Sequence, residues 1–172
     1  MKEKTKHNSV HPFPLEQMNI SDSWFDHYVE LVRTSVIPYQ YRALHDEIED
    51  AAPSYAVKNL ELTAEKLAGK DIGKEFKGFV FQDSDIAKWL EAVAYSLATH
   101  PDEELKAQAD ELIAKVGKAQ CDDGYFNTHF TLNAEEYRWK NLADCHELYV
   151  AGHLIEAAVA YYEATGEREL LD

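Results

Sequence analysis

Several large function classes need residues that this chain barely has. Two cysteines, Cys121 and Cys145, in 172 residues do not make a disulfide framework. They leave one Cys–Cys bond open, and a reducing cytoplasm is the expected compartment. Basic side chains are few: 17 Lys and Arg stand against 32 Asp and Glu, a formal charge of -15. Such a surface repels phosphate backbones, which argues against nucleic acid as a partner. No apolar run approaches the roughly 20 residues that a membrane span needs, so no membrane partner is expected. The opening "MKEKTKHNSVHPFPL" is basic but lacks the apolar stretch of a secretory signal. Gly-rich phosphate loops, CxxC pairs and nucleophile elbows are also missing. What remains is a chain with 45% hydrophobic and 12% aromatic residues, long enough for one domain with a real core.

The patterning is almost all helical. "SDSWFDHYVELVRTSV" sets Trp24, Phe25, Tyr28, Leu31, Val32 and Val36 at spacings of one, three and four, with Ser21 as the expected N-cap. Pro38 is expected to kink or end that helix before "YQYRALHDEI" resumes it. "SYAVKNLELTAEKLAG" reads as a helix closed by Gly69, and "GKDIGKEFKGF" as a loop. "DSDIAKWLEAVAYSLATH" is a strong helix that Asp83, Ser84 or Asp85 can cap. "PDEELKAQADELIAKVGKAQ" follows, with acids in its first turn to suit the helix dipole. "CDDGYFNTHFTLNAEEYRW" reads as a long aromatic loop with a turn at Asp123-Gly124. The last helix is "LADCHELYVAGHLIEAAVAYYEATG", closed by Gly166.

An internal echo organises these pieces. "AVAYSLATHPDEEL" (92–105) lines up with "AVAYYEATGERELL" (158–171) at an offset of 66, and Ala92, Val93, Ala94 and Tyr95 match Ala158, Val159, Ala160 and Tyr161. A period of that length holds a helix, a turn, a second helix and a long loop. This is the helical hairpin of an α/α toroid or solenoid, whose units bury their faces against neighbours. In the second unit the partner helix has barely begun at Asp172, so the repeat predicts a chain cut short.

The spacing in "HELYVAGH" excludes a zinc-protease site, which needs histidines one turn apart. His146 and His153 are seven residues apart, roughly 10 Å along a helix axis. His146 stands where a long aromatic loop enters a helix, and there it either caps the helix or meets a sugar hydroxyl. His153, deeper in an apolar face, reads as structural. "VFQDSDIAKW" gathers Gln82, Asp83, Ser84 and Asp85 at a helix start with Trp89 one turn in: either a cap, or polar groups beside an aromatic platform that suits carbohydrate. "DGYFNTHF" offers Tyr125, Asn127 and His129, with loop packing as the equal alternative. No pair among the 32 acids can be singled out as a catalytic acid and base.

At "VIPYQYRALHD", "VFQDSDIAKWLEAVAYSLATHPDEEL", "AQCDDGYFNTHF" and "RWKNLADCHELYVAGHLIEAAVAYYEATG" the chain resembles glycoside hydrolase family 127, the β-L-arabinofuranosidases. The resemblance runs from about residue 20 to the last residue and covers only the N-terminal part of that family's catalytic domain. It implies an all-α chain made of helical hairpins of a partial (α/α)6 barrel, with 1–20 as an N-terminal extension and 21–172 as the truncated barrel portion. For the complete enzyme it implies retaining hydrolysis by a cysteine nucleophile. That cysteine is held near a zinc ion by one glutamate and further cysteines, and a glutamate is the acid/base. Neither Cys121 nor Cys145 lies in a matching block, so no catalytic residue, metal ligand or cofactor is assigned to this chain. The resemblance does assign sugar binding to His146 and Gln40, with Asp83 and Trp89 of the "QDSD" region as further candidates. The linker "ELTAEKLAGKDIGKEFKGF" is longer than the family pattern suggests. The expected ligand is an L-arabinofuranoside-containing oligosaccharide. The alternative is a non-catalytic helical module that binds sugar or a partner and completes its barrel with a C-terminal polypeptide or a second copy through the open edge.

Overall fold

The computed structural model describes residues 13–18, 20–73 and 75–172. Of the expected extension over 1–20, residues 1–12 and 19 lie outside the described residues. Every regular element is helical, and there is no strand among the described residues. No helix among them is long and apolar enough to cross a membrane.

Helix α1 (Ser23–Leu31) starts one residue later than the expected cap allows. Asp22, not Ser21, closes it: its Oδ1 accepts the backbone N–H of Trp24 at 2.8 Å and of Phe25 at 3.2 Å. Pro38 does not end this helix. A π-turn over Val32–Val36 leads directly into α2 (Ile37–Leu44), with the Ile37 N–H bonded to the Val32 carbonyl five residues back. That slip places Pro38 in the first turn of α2, where a missing N–H leaves no bond unmade. Helix α3 (Ala56–Leu67) ends where expected, and Gly69 takes the left-handed conformation (φ 86°) just beyond it.

Helix α4 (Asp83–Thr99) and helix α5 (Glu103–Ala119) form the hairpin that the echo implied. Asp102 caps α5 through the N–H groups of Glu104 and Leu105. The aromatic stretch departs from its reading as a loop. It holds a short helix α6 (Thr128–Asn133), capped by Asn127, and a 3-10 turn at Glu135–Tyr137. Asp123-Gly124 does turn, with the Gly124 N–H bonded to the Cys121 carbonyl at 2.8 Å. Helix α7 (Glu147–Thr165) begins five residues later than the apolar pattern from Leu142 suggests and closes at Gly166 (φ 77°).

Two rows result: α2, α4 and α7 adjoin in one, α3 and α5 in the other. Helices α4 and α7 pack most extensively and run parallel. Lys88 lies over the Tyr149 ring near their starts, while Ala94 and Ala98 share a groove with Ala160 and Ala164 near their ends. Both end on a threonine 66 residues apart, Thr99 and Thr165, so the sequence offset is also a structural one. The seam is close because Ala87, Ala94, Ala157 and Ala160 are buried along it. Leu60, Leu90 and Leu112 fill the space between rows, each contributing about 1.5–3 kcal/mol by leaving water. Polar ties fix the register. The Tyr161 hydroxyl donates to Asp110 Oδ1 at 2.5 Å, joining α7 to α5. Lys66 Nζ donates to the Thr131 and Leu132 carbonyls, placing its charge on the C-terminal end of α6.

Candidate functional site

The N-terminal end of α4 opens onto a cleft of about 650 Å³. One wall is α2, which contributes Gln40, Ala43 and Leu44; Pro53 and Ser54 close one rim. Phe79 and Phe81 form the other, their rings stacked 5.2 Å apart at 3°. Gln82, Asp85 and Lys88 supply polar groups from the first turns of α4. Gly78 makes this rim possible. Its φ is 99°, and a Cβ there would stand 2.9 Å from Gln82 Oε1. Gln82 then clamps the loop to the helix: its Oε1 accepts the Phe79 N–H at 3.3 Å and its Nε2 donates to Asp85 Oδ2 at 2.6 Å.

Of the expected site residues, Gln40 and Trp89 both line this cleft. Gln40 is exposed on α2, within regular helix rather than at an interruption of it. Trp89 is only 2% exposed. Its Nε1–H donates to the Ile37 carbonyl at 3.0 Å, and its ring meets Tyr41 at 5.2 Å. Pinned in this way, it forms part of the cleft floor and ties α4 to α2.

Asp83 faces the other way. Its carboxylate is buried and accepts both the backbone N–H of Thr128 (2.7 Å) and the Thr128 hydroxyl (2.6 Å). It therefore satisfies a free donor at the start of α6, not of its own helix. Burial pushes its carboxyl up to about 6, against the two Thr128 bonds that pull it down. The carboxylate that reaches the cleft is Asp85.

His146 stands beyond Phe81, ring centroids 5.1 Å apart. Its backbone is left-handed (φ 55°) where the loop turns into α7. Nδ1 lies 2.7 Å from the Asp144 carbonyl, which only accepts, so Nδ1 carries a hydrogen and Nε2 is the ring nitrogen left free for another partner. Gln40 and Trp89 thus belong to the cleft, His146 lies outside it against Phe81, and Asp83 anchors the start of α4 from behind.

Glu147, next to His146, escaped the sequence reasoning. It is buried, and its carboxylate accepts the Tyr125 hydroxyl at 2.5 Å and the Trp139 N–H at 3.0 Å. Burial, then the Glu147 bond, push the Tyr125 phenol well above its usual range. The Arg138 guanidinium lies 4.2 Å over the Tyr125 ring and donates to Cys121 Sγ at 3.2 Å. This knot straps the aromatic stretch to the start of α7. His129 packs on Phe76 at 4.8 Å, and burial lowers its proton affinity.

Both cysteines are free, and no group of three ligand side chains among the described residues includes either of them. The glutamate-and-cysteine zinc set that the resemblance implies therefore does not fit these residues.

Against known proteins, the family model of the β-L-arabinofuranosidase GH127 catalytic domain matches residues 17–172. A non-reducing end β-L-arabinofuranosidase of Bifidobacterium longum subsp. longum is 43% identical across 80% of this chain and 23% of its own length. The crystal structure of a GH127 β-L-arabinofuranosidase from Geobacillus stearothermophilus T6 superposes with a TM-score of 0.83 at 53% identity. The match covers 90% of this chain and 24% of that one. A second GH127 β-arabinofuranosidase superposes with a TM-score of 0.81 at 31% identity, covering 94% and 25%. The chain spans about a quarter of the length of the relatives it matches.

Proposed function

The chain belongs to the GH127 β-L-arabinofuranosidase catalytic-domain family, and from that premise we infer that it supplies one wall of the sugar-binding cleft of such an enzyme. The complete enzyme would release terminal L-arabinofuranose from oligosaccharides in the cytoplasm. This chain alone would bind without hydrolysing, because the family's cysteine nucleophile block has no counterpart in it. The observation that carries the reading is the meeting of Gln40 and Asp85 in a cleft rimmed by Phe79 and Phe81 and floored by Trp89, with His146 against the far side of Phe81. Aromatic faces cover the apolar side of a sugar ring, and an amide, a carboxylate and an imidazole address its hydroxyls.

The test is an amide chemical-shift titration of the labelled chain with L-arabinose, with D-glucose as control. Saturable shifts centred on residues 40, 79–89 and 146, weakened at least tenfold in Gln40→Ala and His146→Ala, support the cleft. Shifts scattered over the surface, or unchanged in both variants, overturn it.

A second reading is favoured by the bare apolar face of α1, where Trp24 is 61% exposed beside Phe25 and Tyr28. On that reading the chain completes its barrel with another polypeptide. Mixing it with the remaining portion of a GH127 catalytic domain, and measuring mass by light scattering, distinguishes the two. A stable one-to-one complex favours the second reading; unchanged masses leave it without support.

A further inference from the structure

Two turns along α7 from His146, α4 and α7 bring together three side chains that the sugar-binding reading does not use. Glu91 projects from α4, and His153 and Glu156 project from α7. One ligand atom from each lies within 4.8 Å of the others. The spacing is chemically meaningful: residues at i and i+3 share a helix face, so one imidazole and one carboxylate from α7 meet a carboxylate from the neighbouring helix. Helical bundles build metal centres from the same elements, a Glu and His three apart on one helix with a Glu facing them.

Two independent observations point to a cation. The first is at His153. Its Nδ1 is sealed from solvent and has no hydrogen-bond partner of good geometry, although Glu156 Oε2 lies 3.2 Å away. A buried ring nitrogen whose near neighbour is a carboxylate, with no hydrogen bond of good geometry between them, is uncommon, and a cation would satisfy both groups. Tyr149 holds the ring in that pose, edge to face at 4.5 Å. The second is charge. Glu91 takes part in no ion pair among the described residues, and the only partner of Glu156 is His153 itself. The nearest lysine on α4, Lys88, is spent on Asp85, Ser84 and the Tyr149 ring. Glu91 is steadied instead by the Tyr95 hydroxyl, which donates to its Oε1 at 2.8 Å.

We propose that Glu91, His153 and Glu156 form a divalent-cation site between α4 and α7. One imidazole and two carboxylates suit borderline first-row cations such as Zn²⁺, Co²⁺ and Mn²⁺ better than Ca²⁺ or thiophilic metals. Three protein ligands leave further coordination positions to water. The site clamps the parallel pair of helices two turns along α7 from His146. It shares no residue type but glutamate with the cysteine-based zinc set implied for the family.

The test is calorimetric titration of the metal-free, untagged chain with Zn²⁺, and with Co²⁺ followed by its visible absorption. Expected is one equivalent bound, an absorption band of a nitrogen- and oxygen-ligated cobalt centre, and a raised midpoint of thermal unfolding. Binding should weaken at least tenfold in His153→Gln and in Glu91→Gln, while His146→Gln leaves it unchanged. Glu156→Gln, at an exposed position that does not threaten folding, should weaken it likewise. The proposal fails if no saturable binding occurs below about 1 mM, if His146→Gln abolishes it, or if Glu156→Gln and His153→Gln leave it intact.

Discussion

Helices α1 and α4 carry apolar side chains at the same three-and-four spacing, yet α4 buries nine of its seventeen residues and α1 none of its nine. The difference lies in their surroundings. α4 sits between α2 and α7 with α5 across from it, so each apolar position meets another helix. The apolar stripe of α1 packs extensively on no other helix, and Trp24, Phe25 and Tyr28 stay about half exposed with their rings against one another. An amphipathic stripe therefore specifies which face a helix is built to bury; what covers that face is decided elsewhere. Family membership gives this physical sense. A hairpin of a toroid is closed by its neighbours on both sides, and only the α4 side has both here.

The contrast breaks most visibly at the core of α4. Leu90 is fully buried, so Leu90→Ala should cost about 3 kcal/mol by transfer and cavity terms together. Urea unfolding followed by circular dichroism checks it. A loss below 1 kcal/mol would mean that α4 is no better packed in solution than α1.

Next in size is the pair of acids that α4 sends in opposite directions. Asp85 meets the cleft, while Asp83 is buried with its carboxyl raised from 3.8 to about 6. A raised folded value means that ionisation opposes folding. The stability contribution is whole below pH 3.8 and is lost as pH rises through about 6, a change on the order of 3 kcal/mol at most. Asp83→Asn keeps an acceptor for the Thr128 N–H and removes the proton. Its unfolding free energy, relative to the parent, should therefore rise between pH 4.5 and 7.5. Parallel pH dependences in the two proteins would show that Asp83 is not the titrating group.

A smaller effect sharpens the cleft itself. Gly78→Ala forces a side chain into φ 99° and against Gln82 Oε1, at a cost of about 1–2 kcal/mol. Because Gln82 clamps the Phe79 backbone, the loss should come with altered resonances of Phe79 and Phe81. Unfolding free energy and aromatic NMR shifts read the two consequences separately. A destabilised protein with an unmoved rim would dissociate Gly78 from the site.

The helices were legible because their signals are local: apolar spacing, acids in the first turn of α5, Gly69 and Gly166 as stops. The equivalence of α4 and α7 was legible through repetition alone, since the echo at 66 residues reappears as matching helix ends; their parallel packing was not read from it. Features set by distant partners were hidden. Asp83 looked like a cap for its own helix because nothing nearby in sequence reveals Thr128, 45 residues on. Glu147 carried no sequence signal of its burial, since Tyr125 and Trp139, which close over it, lie 22 and 8 residues away. The short helix α6 fell below the length at which periodicity can be read. Pro38 marked the interruption but not its form, because the π-turn that precedes it is a shift of one residue in hydrogen bonding and leaves no mark in the sequence.

The smallest expected effect is also the most discriminating for α1. If its stripe is bare in solution, Trp24→Ala removes a side chain already 61% exposed and should change the unfolding free energy by less than 0.5 kcal/mol, the usual range for surface positions. The same substitution should weaken any self-association, since Trp24, Phe25 and Tyr28 form one apolar patch and such patches recruit partners. The two readouts separate the possible states of the helix. No change in stability, with less dimer at high concentration by sedimentation, means a face bare in the monomer and sticky between copies. A loss above 1 kcal/mol at low concentration means that something within the chain already covers α1. The contrast with α4 would then be one of degree, and the barrel edge would lie elsewhere.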